Sequence, residues 1–72
     1  MNTFIDAAPT RETATAYVEA TERRWGNTGE VLKAHPINDG CLTFWRIQTV
    51  ENIWDVWMRR NADGTTSIYG EC

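Results

Sequence analysis

The sequence predicts an α+β domain in which one helix packs on one face of a small antiparallel β-sheet of three to four main strands. Apolar residues recur at helical spacing early in the chain, and after about residue 29 they alternate with a period of two. The length of 72 residues allows one domain, residues 1–72, with a thin core. One helix can cover one face of such a sheet and leaves the other face bare.

The helix is predicted over residues 11–25. Thr10 is a suitable N-cap, and Gly26 can take the left-handed conformation that ends many helices. The apolar stripe that is expected to face the sheet comprises Ala14, Tyr17, Val18, Thr21 and Trp25. Three carboxylates of the helix are expected on its solvated side, namely Glu12, Glu19 and Glu22.

The strands are predicted where β-branched and aromatic residues lie between turn signals, at residues 29–35, 41–50, 53–60 and 65–70. His35-Pro36 is predicted to end the first strand, because proline offers no N–H to a neighbouring strand. Asn-Asp-Gly at residues 38–40 is a predicted turn. The short apolar start at residues 2–5 suits a short N-terminal edge strand.

The registers of the two later hairpins decide which side chains share a face of the sheet. A two-residue turn at residues 51–52 makes Arg46 face Trp57. A three-residue loop at residues 62–64, with its glycine left-handed, makes Trp57 face Tyr69. The face that is predicted to pack against the helix is then almost entirely apolar and consists of Trp45, Ile47, Trp54, Val56, Met58 and Ile68.

The opposite face of the predicted sheet mixes aromatic and charged side chains, and it holds Phe44, Arg46, Gln48, Asp55, Trp57, Arg59 and Tyr69. Exposed aromatic residues interleaved with arginines are typical of binding hot spots. The predicted partner-binding residues are therefore Phe44, Arg46, Trp57, Arg59 and Tyr69. The alternative is that cation–π and cross-strand pairs only shield a solvated sheet, or that residues 1–8 fold over it.

The residue types that carry catalysis are too scattered to predict an enzyme. His35 is the one histidine and precedes a proline, which indicates a surface residue. Cys41 is expected as a small side chain on the core face, and Cys72 is the last residue. The predicted register keeps these cysteines beyond disulfide reach. Residues 61–64 resemble the start of a calcium-binding loop, but the other ligands of such a loop are absent, so these residues are predicted to form a turn. No metal site and no cofactor are predicted.

The formal net charge of −3 argues against broad electrostatic binding to nucleic acid or to a membrane. The chain does not begin with basic residues followed by an apolar run, and no apolar stretch approaches the roughly 20 residues that span a bilayer. Two cysteines are too few for a disulfide framework. The expected location is therefore the cytoplasm, in a bacterial host if the resemblance below holds.

The run from Arg46 to Trp54, followed by a polar turn and a short final strand, resembles the hairpin of small anti-CRISPR proteins of the type I-F inhibitor group. The segment of residues 26–40 is longer here than in that group. The resemblance implies a compact phage or mobile-element protein that has one helix and an antiparallel sheet, and that binds a CRISPR effector complex. It assigns no functional residue.

Three binding functions follow from the exposed aromatic face. The first is a phage-type inhibitor that docks on a bacterial protein or nucleoprotein complex. The second is a single-stranded nucleic-acid or RNA-binding module, in which bases stack on the aromatic rings while arginines such as Arg59 and Arg60 meet phosphates. The third is a homo-oligomeric accessory module that associates through the same face or through a free edge strand.

Overall fold

A computed structural model describes residues 9–40 and 42–72, except for the side chain of Leu42. The elements, in chain order, are helix α1 (Arg11–Arg24) and strands β1 (Val31–Asp39), β2 (Leu42–Thr49), β3 (Ile53–Arg60) and β4 (Thr66–Glu71). The strands form one antiparallel sheet in the order β1-β2-β3-β4, and α1 packs on one face of it. The predicted fold class is confirmed. The expected edge strand at residues 2–5 lies outside the described residues, as does Cys41.

Helix α1 begins and ends as its flanking residues predict. The hydroxyl of Thr10 accepts a hydrogen bond from the backbone N–H of Thr13 at 3.1 Å, which satisfies a donor at the N-terminus. After the C-cap Trp25, Gly26 has a φ of 88°, the left-handed conformation that favours glycine. Among the described residues, no helix has both the length and the apolar character needed to cross a bilayer.

Strand β1 continues through Pro36, so the predicted strand end at His35-Pro36 is wrong. Pro36 pairs with Trp45 in β2, and the pairing runs on to Asp39. The strand lies at the edge of the sheet, where outward N–H groups need no partner, so a proline is tolerated. At its start, the register shifts between Val31 and Lys33, which makes a bulge there.

The hairpin of β2 and β3 turns one residue earlier than predicted. Thr49 N donates to Asn52 O at 2.8 Å, so the two residues between them form the turn. The hydroxyl of Thr49 also accepts from Asn52 N at 2.9 Å. The pairing shifts by two residues, and Arg46 faces Asp55 instead of Trp57. A shift by an even number leaves every side chain on its predicted face.

The hairpin of β3 and β4 has the predicted register. Trp57 pairs with Tyr69, and Met58 pairs with Ile68. Asn61 N donates to Thr65 O at 2.7 Å, which closes a three-residue loop. Gly64 has a φ of 90° in this loop, so the left-handed position falls where the sequence predicts it.

The core lies between α1 and the predicted apolar face of the sheet. Its fully buried members are Ala14, Val18, Ile47, Trp54 and Val56. The Trp54 ring meets Tyr17 edge-on at a centroid distance of 6.2 Å and stacks on Trp25 at 5.2 Å. Gly70 lies under the Tyr17 ring, so closely that a β-carbon there would collide with it. The packing therefore depends on the absence of a side chain at this position.

Glu22 is buried, so its predicted place on the solvated side of the helix is wrong. Its Oε2 accepts from Trp54 Nε1 at 2.8 Å, Asn52 Nδ2 at 2.9 Å and Thr49 Oγ1 at 3.0 Å. Its Oε1 accepts from Asn27 Nδ2 at 2.6 Å. These donors, led by Trp54 and Asn52, lower the pKa of Glu22 from 4.5 to about 2. The carboxylate holds Thr49 and Asn52 as a facing pair, which explains the position of the turn.

Candidate functional site: the open face of the sheet

The site residues that the sequence predicts all lie on the sheet face opposite to α1, which we call the open face. Alternation places Phe44 and Arg46 there from β2, Trp57 and Arg59 from β3, and Tyr69 from β4. In the part of the chain that the structure describes, no element packs on this face. The five side chains are therefore accessible to a partner from one direction.

Trp57 and Tyr69 form the aromatic centre of the open face. They are directly opposite each other in the ladder, and their rings lie at 19° to each other with centroids 6.1 Å apart. Both side chains are half-buried. Each ring holds the other in position. The pair therefore presents an apolar surface whose side chains need little further ordering when a partner binds.

Arg59 is fixed against the edge of this aromatic centre. Its guanidinium carbon lies 4.9 Å from the centre of the Tyr69 ring, and Nη2 donates to the Tyr69 hydroxyl at 2.6 Å. The hydrogen bond from Arg59, together with one that involves Ser67, lowers the pKa of Tyr69. Within the described residues Arg59 makes no ion pair with a carboxylate, and its side chain is exposed.

Arg46 is held by a carboxylate on the neighbouring strand. Its Nε donates to Asp55 Oδ1 at 2.9 Å and its Nη2 to Asp55 Oδ2 at 3.2 Å, which is a two-pronged ion pair. The hydrogen bonds and the charge of Asp55 raise the pKa of Arg46. The guanidinium also lies 5.8 Å from the centre of the Phe44 ring. Asp55 is thus the cross-strand neighbour of Arg46, the position for which the sequence predicts Trp57.

A fourth apolar residue, Ile37, joins the open face from β1. Ile37 pairs with Phe44. In the β2–β3 register Trp45 pairs with Val56, so the next residues along, Phe44 and Trp57, lie level with each other. Trp57 pairs with Tyr69 on its other side. An apolar row therefore crosses all four strands. Sequence reasoning missed Ile37 because it ended β1 at Pro36, although the alternation of Lys33, His35 and Ile37 continues through that proline.

A cavity and a free cysteine lie at one end of the open face. Its end near the chain terminus has an open cavity of about 350 Å³, lined by Arg46, Ile53, Asp55, Glu71 and Cys72. The Cys72 thiol is free and exposed. Across residues 9–40 and 42–72, no three His, Cys, Asp or Glu side chains are grouped so as to hold a metal ion. Stacked rings and fixed guanidinium groups are the features that this face offers a ligand.

Searches of protein-family models, of curated proteins and of solved structures find no match to this chain.

Proposed function

We propose that this chain is a small non-enzymatic binding protein, a phage-type inhibitor of the anti-CRISPR kind. It docks through the open face on a CRISPR effector complex in the cytoplasm of a bacterial host. The observation that carries the proposal is the uncovered cluster of Phe44, Arg46, Trp57, Arg59 and Tyr69. Tryptophan, tyrosine and arginine are the residues that contribute most to protein–protein binding.

The open face is already organised for binding. Trp57 is held by Tyr69, Arg59 by the Tyr69 hydroxyl, and Arg46 by Asp55. Side chains that are fixed before binding lose little conformational entropy when a partner arrives. The available binding energy therefore goes into contacts with the partner.

A protein surface suits the open face better than a nucleic-acid strand. Phosphate binding needs cations without counter-charges, but Asp55 neutralises Arg46. The net charge of −3 opposes approach to a polyanion. The stacked Trp57 and Tyr69 rings would also suit base stacking. Binding of single-stranded nucleic acid is therefore the alternative that an experiment must distinguish from protein binding.

The resemblance of the Arg46–Trp54 run to type I-F inhibitors gives the proposal its specific test. We expect a phage that type I-F interference restricts to regain plating efficiency when the host expresses this chain. Trp57→Ala and Arg59→Ala should remove that protection, since each takes a contact from the open face. Arg11→Ala is the matched control, because Arg11 is an exposed arginine of α1, which packs on the other face of the sheet. Restriction that stays complete in the presence of the wild-type chain would refute the anti-CRISPR assignment.

A binding measurement separates the remaining alternatives. Tagged chain is mixed with purified type I-F effector complex, and with lysate before and after nuclease treatment. Retention of the effector complex after nuclease treatment, and its loss with Trp57→Ala, supports the proposal. Retention of material that nuclease removes favours the nucleic-acid alternative. Effector binding that Trp57→Ala and Arg11→Ala reduce equally would refute the role of the open face.

A further inference from the structure

The cavity of about 350 Å³ lies at the corner of the open face where β3 begins and β4 ends. Its lining residues are Arg46, Ile53, Asp55, Glu71 and Cys72. Neither ring of the aromatic centre lines it, although Asp55 is only two residues from Trp57 along β3. The cavity is therefore a separate part of the open face, beside the aromatic centre, and it has its own chemistry.

Ile53 forms the apolar wall of this cavity. It pairs with Gln48 in β2, and the alternation of β3 places its side chain on the same face as Asp55. Ile53 is 58% exposed, whereas the core residues of the helix side are fully buried. The core therefore uses little of this side chain, and most of its apolar surface is available to a partner.

Two carboxylates of the cavity lie directly opposite each other in the sheet. Asp55 in β3 pairs with Glu71 in β4. Like charges at directly opposed positions of two strands destabilise the sheet. Arg46 forms an ion pair with Asp55, but Glu71 makes no ion pair and no side-chain hydrogen bond among residues 9–40 and 42–72. Two carboxylates thus share one guanidinium, an arrangement that costs the free protein some stability.

We propose that the cavity takes an arginine side chain of the partner protein that the open face binds, an inference that rests on the proposed function. Arginine lays its methylene groups along apolar surface, here Ile53, and keeps its charge on polar groups. Its planar guanidinium presents donors in a fork that can meet two carboxylates, which the compact ammonium of lysine does less well. Glu71 is unpaired, and each oxygen of Asp55 can accept one more hydrogen bond beside the one from Arg46.

The charges on the two sides of the aromatic centre give the partner one orientation. Along β3, Asp55 lies on one side of Trp57 and Arg59 on the other. A partner that places a cation in the cavity must therefore place an acceptor at Arg59, and the reversed orientation would bring like charges together. The net charge of −3 favours approach to a cationic surface. A nucleoprotein complex offers such surfaces, because proteins hold nucleic acid with arginines and lysines.

The free chain provides the first test, because removal of one of the two opposed charges should not harm the fold. We expect Glu71→Gln to raise the urea midpoint at low salt, and the gain should shrink as salt screens the charges. Ile53→Ser should unfold near the wild-type midpoint, since most of this side chain is exposed. A Glu71→Gln variant that unfolds at a lower urea concentration than the wild type would overturn the inference, because Glu71 would then support the fold.

The affinity of the same variants for purified type I-F effector complex provides the second test. Ile53→Ser and Glu71→Gln should each weaken binding by about three- to tenfold, and Glu71→Lys by more than about tenfold, because a lysine there repels the guanidinium of the partner. Glu30→Lys is the matched control for net charge, since Glu30 is an exposed carboxylate just before β1, at the opposite edge of the sheet from β4.

The outcomes separate the inference from the proposed function. Weaker binding by Glu71→Gln, together with its higher urea midpoint, is the expected result. Wild-type binding that Glu71→Lys reduces no more than Glu30→Lys does would overturn the inference and leave the proposed function in place, with Glu71 as a solvated edge residue. A wild-type chain that does not bind the effector complex would refute the proposed function and the inference together.

Discussion

Trp54 and Trp57 lie three residues apart in β3, yet they have opposite surroundings. Trp54 is 2% exposed, is enclosed by Tyr17 and Trp25, and donates its indole N–H to Glu22. Trp57 is half-buried and stacks on Tyr69, on the face that no described element covers. The alternation of a strand thus gives one tryptophan to the fold and leaves the other available for contact.

The polar groups of the two faces differ in the same way. On the helix side, the Glu22 carboxylate is buried and is satisfied by neutral donors from four residues. On the open face, Arg46 pairs with Asp55 in contact with solvent. A buried charge must keep all its partners, whereas an exposed pair can exchange its partner for water. Substitutions should therefore affect stability on the helix side and binding on the open face.

Trp54→Ala is expected to have the largest effect on folding. The change empties the centre of the core and leaves Glu22 without one of its donors. Replacement of a buried aromatic residue by alanine costs about 3–5 kcal/mol, which is much of the stability of a small domain. Urea unfolding should give a midpoint near zero denaturant, and a midpoint close to that of the wild type would contradict the core assignment.

Glu22→Gln should be the next most damaging change, because an amide has one acceptor oxygen. With that oxygen toward the three donors that now bind Oε2, the amide nitrogen would face the Nδ2 donor of Asn27 and the negative charge would be lost. We expect the melting temperature to fall by about 10 °C or more. The pKa of Glu22 is lowered from 4.5 to about 2 in the folded protein, so the unfolded chain binds the proton more readily. The stability that Glu22 contributes is complete above pH 4.5 and is lost as pH falls toward 2. Urea unfolding at a series of pH values should show this loss in the wild type, and the variant should lack that component.

Gly70→Ala should give a smaller loss, because it adds one methyl group to a filled site. The new β-carbon would collide with the Tyr17 ring and lie 3.2 Å from Trp54 Cε3. Overpacking of this kind costs about 1–3 kcal/mol. Gly64→Ala is a useful comparison, since no atom lies within 4 Å of its β-carbon and only the φ of 90° opposes it. A Gly70→Ala variant as stable as the wild type would show that Tyr17 does not pack on β4.

The ion pair of Arg46 with Asp55 should have the smallest effect on folding. A double-mutant cycle with Arg46→Ala and Asp55→Ala should give a coupling energy near zero, which added salt reduces further. Partner binding should nevertheless fall in both variants, because Asp55 holds Arg46 in position. A large coupling energy that salt leaves unchanged would show that the pair is part of the fold.

The faces of this sheet were predictable from the sequence because the error in the β2–β3 pairing was an even number of residues. The β2–β3 turn lies one residue from its predicted position, which changes the partner of Arg46 but moves no side chain to the other face. The extent of β1 was not predictable from proline alone, since the effect of Pro36 depends on the strand being at the sheet edge. The burial of Glu22 was missed because its charge suggested the solvated side of the helix, whereas its spacing along the chain suggested the side that faces the sheet. It lies one turn after Val18 on the apolar stripe, and a buried Trp54 needs an acceptor for its N–H.

In this account β3 gives Trp54 to the fold and Trp57 to the proposed partner contact. The most direct test measures the unfolding free energy of Trp57→Ala and its affinity for purified type I-F effector complex on the same preparation. We expect the unfolding free energy to stay within about 1.5 kcal/mol of the wild type, the contribution of a stacked aromatic pair, while effector binding is lost. A loss of several kcal/mol in Trp57→Ala, comparable to that expected for Trp54→Ala, would contradict the claim, because the open face would then be part of the fold.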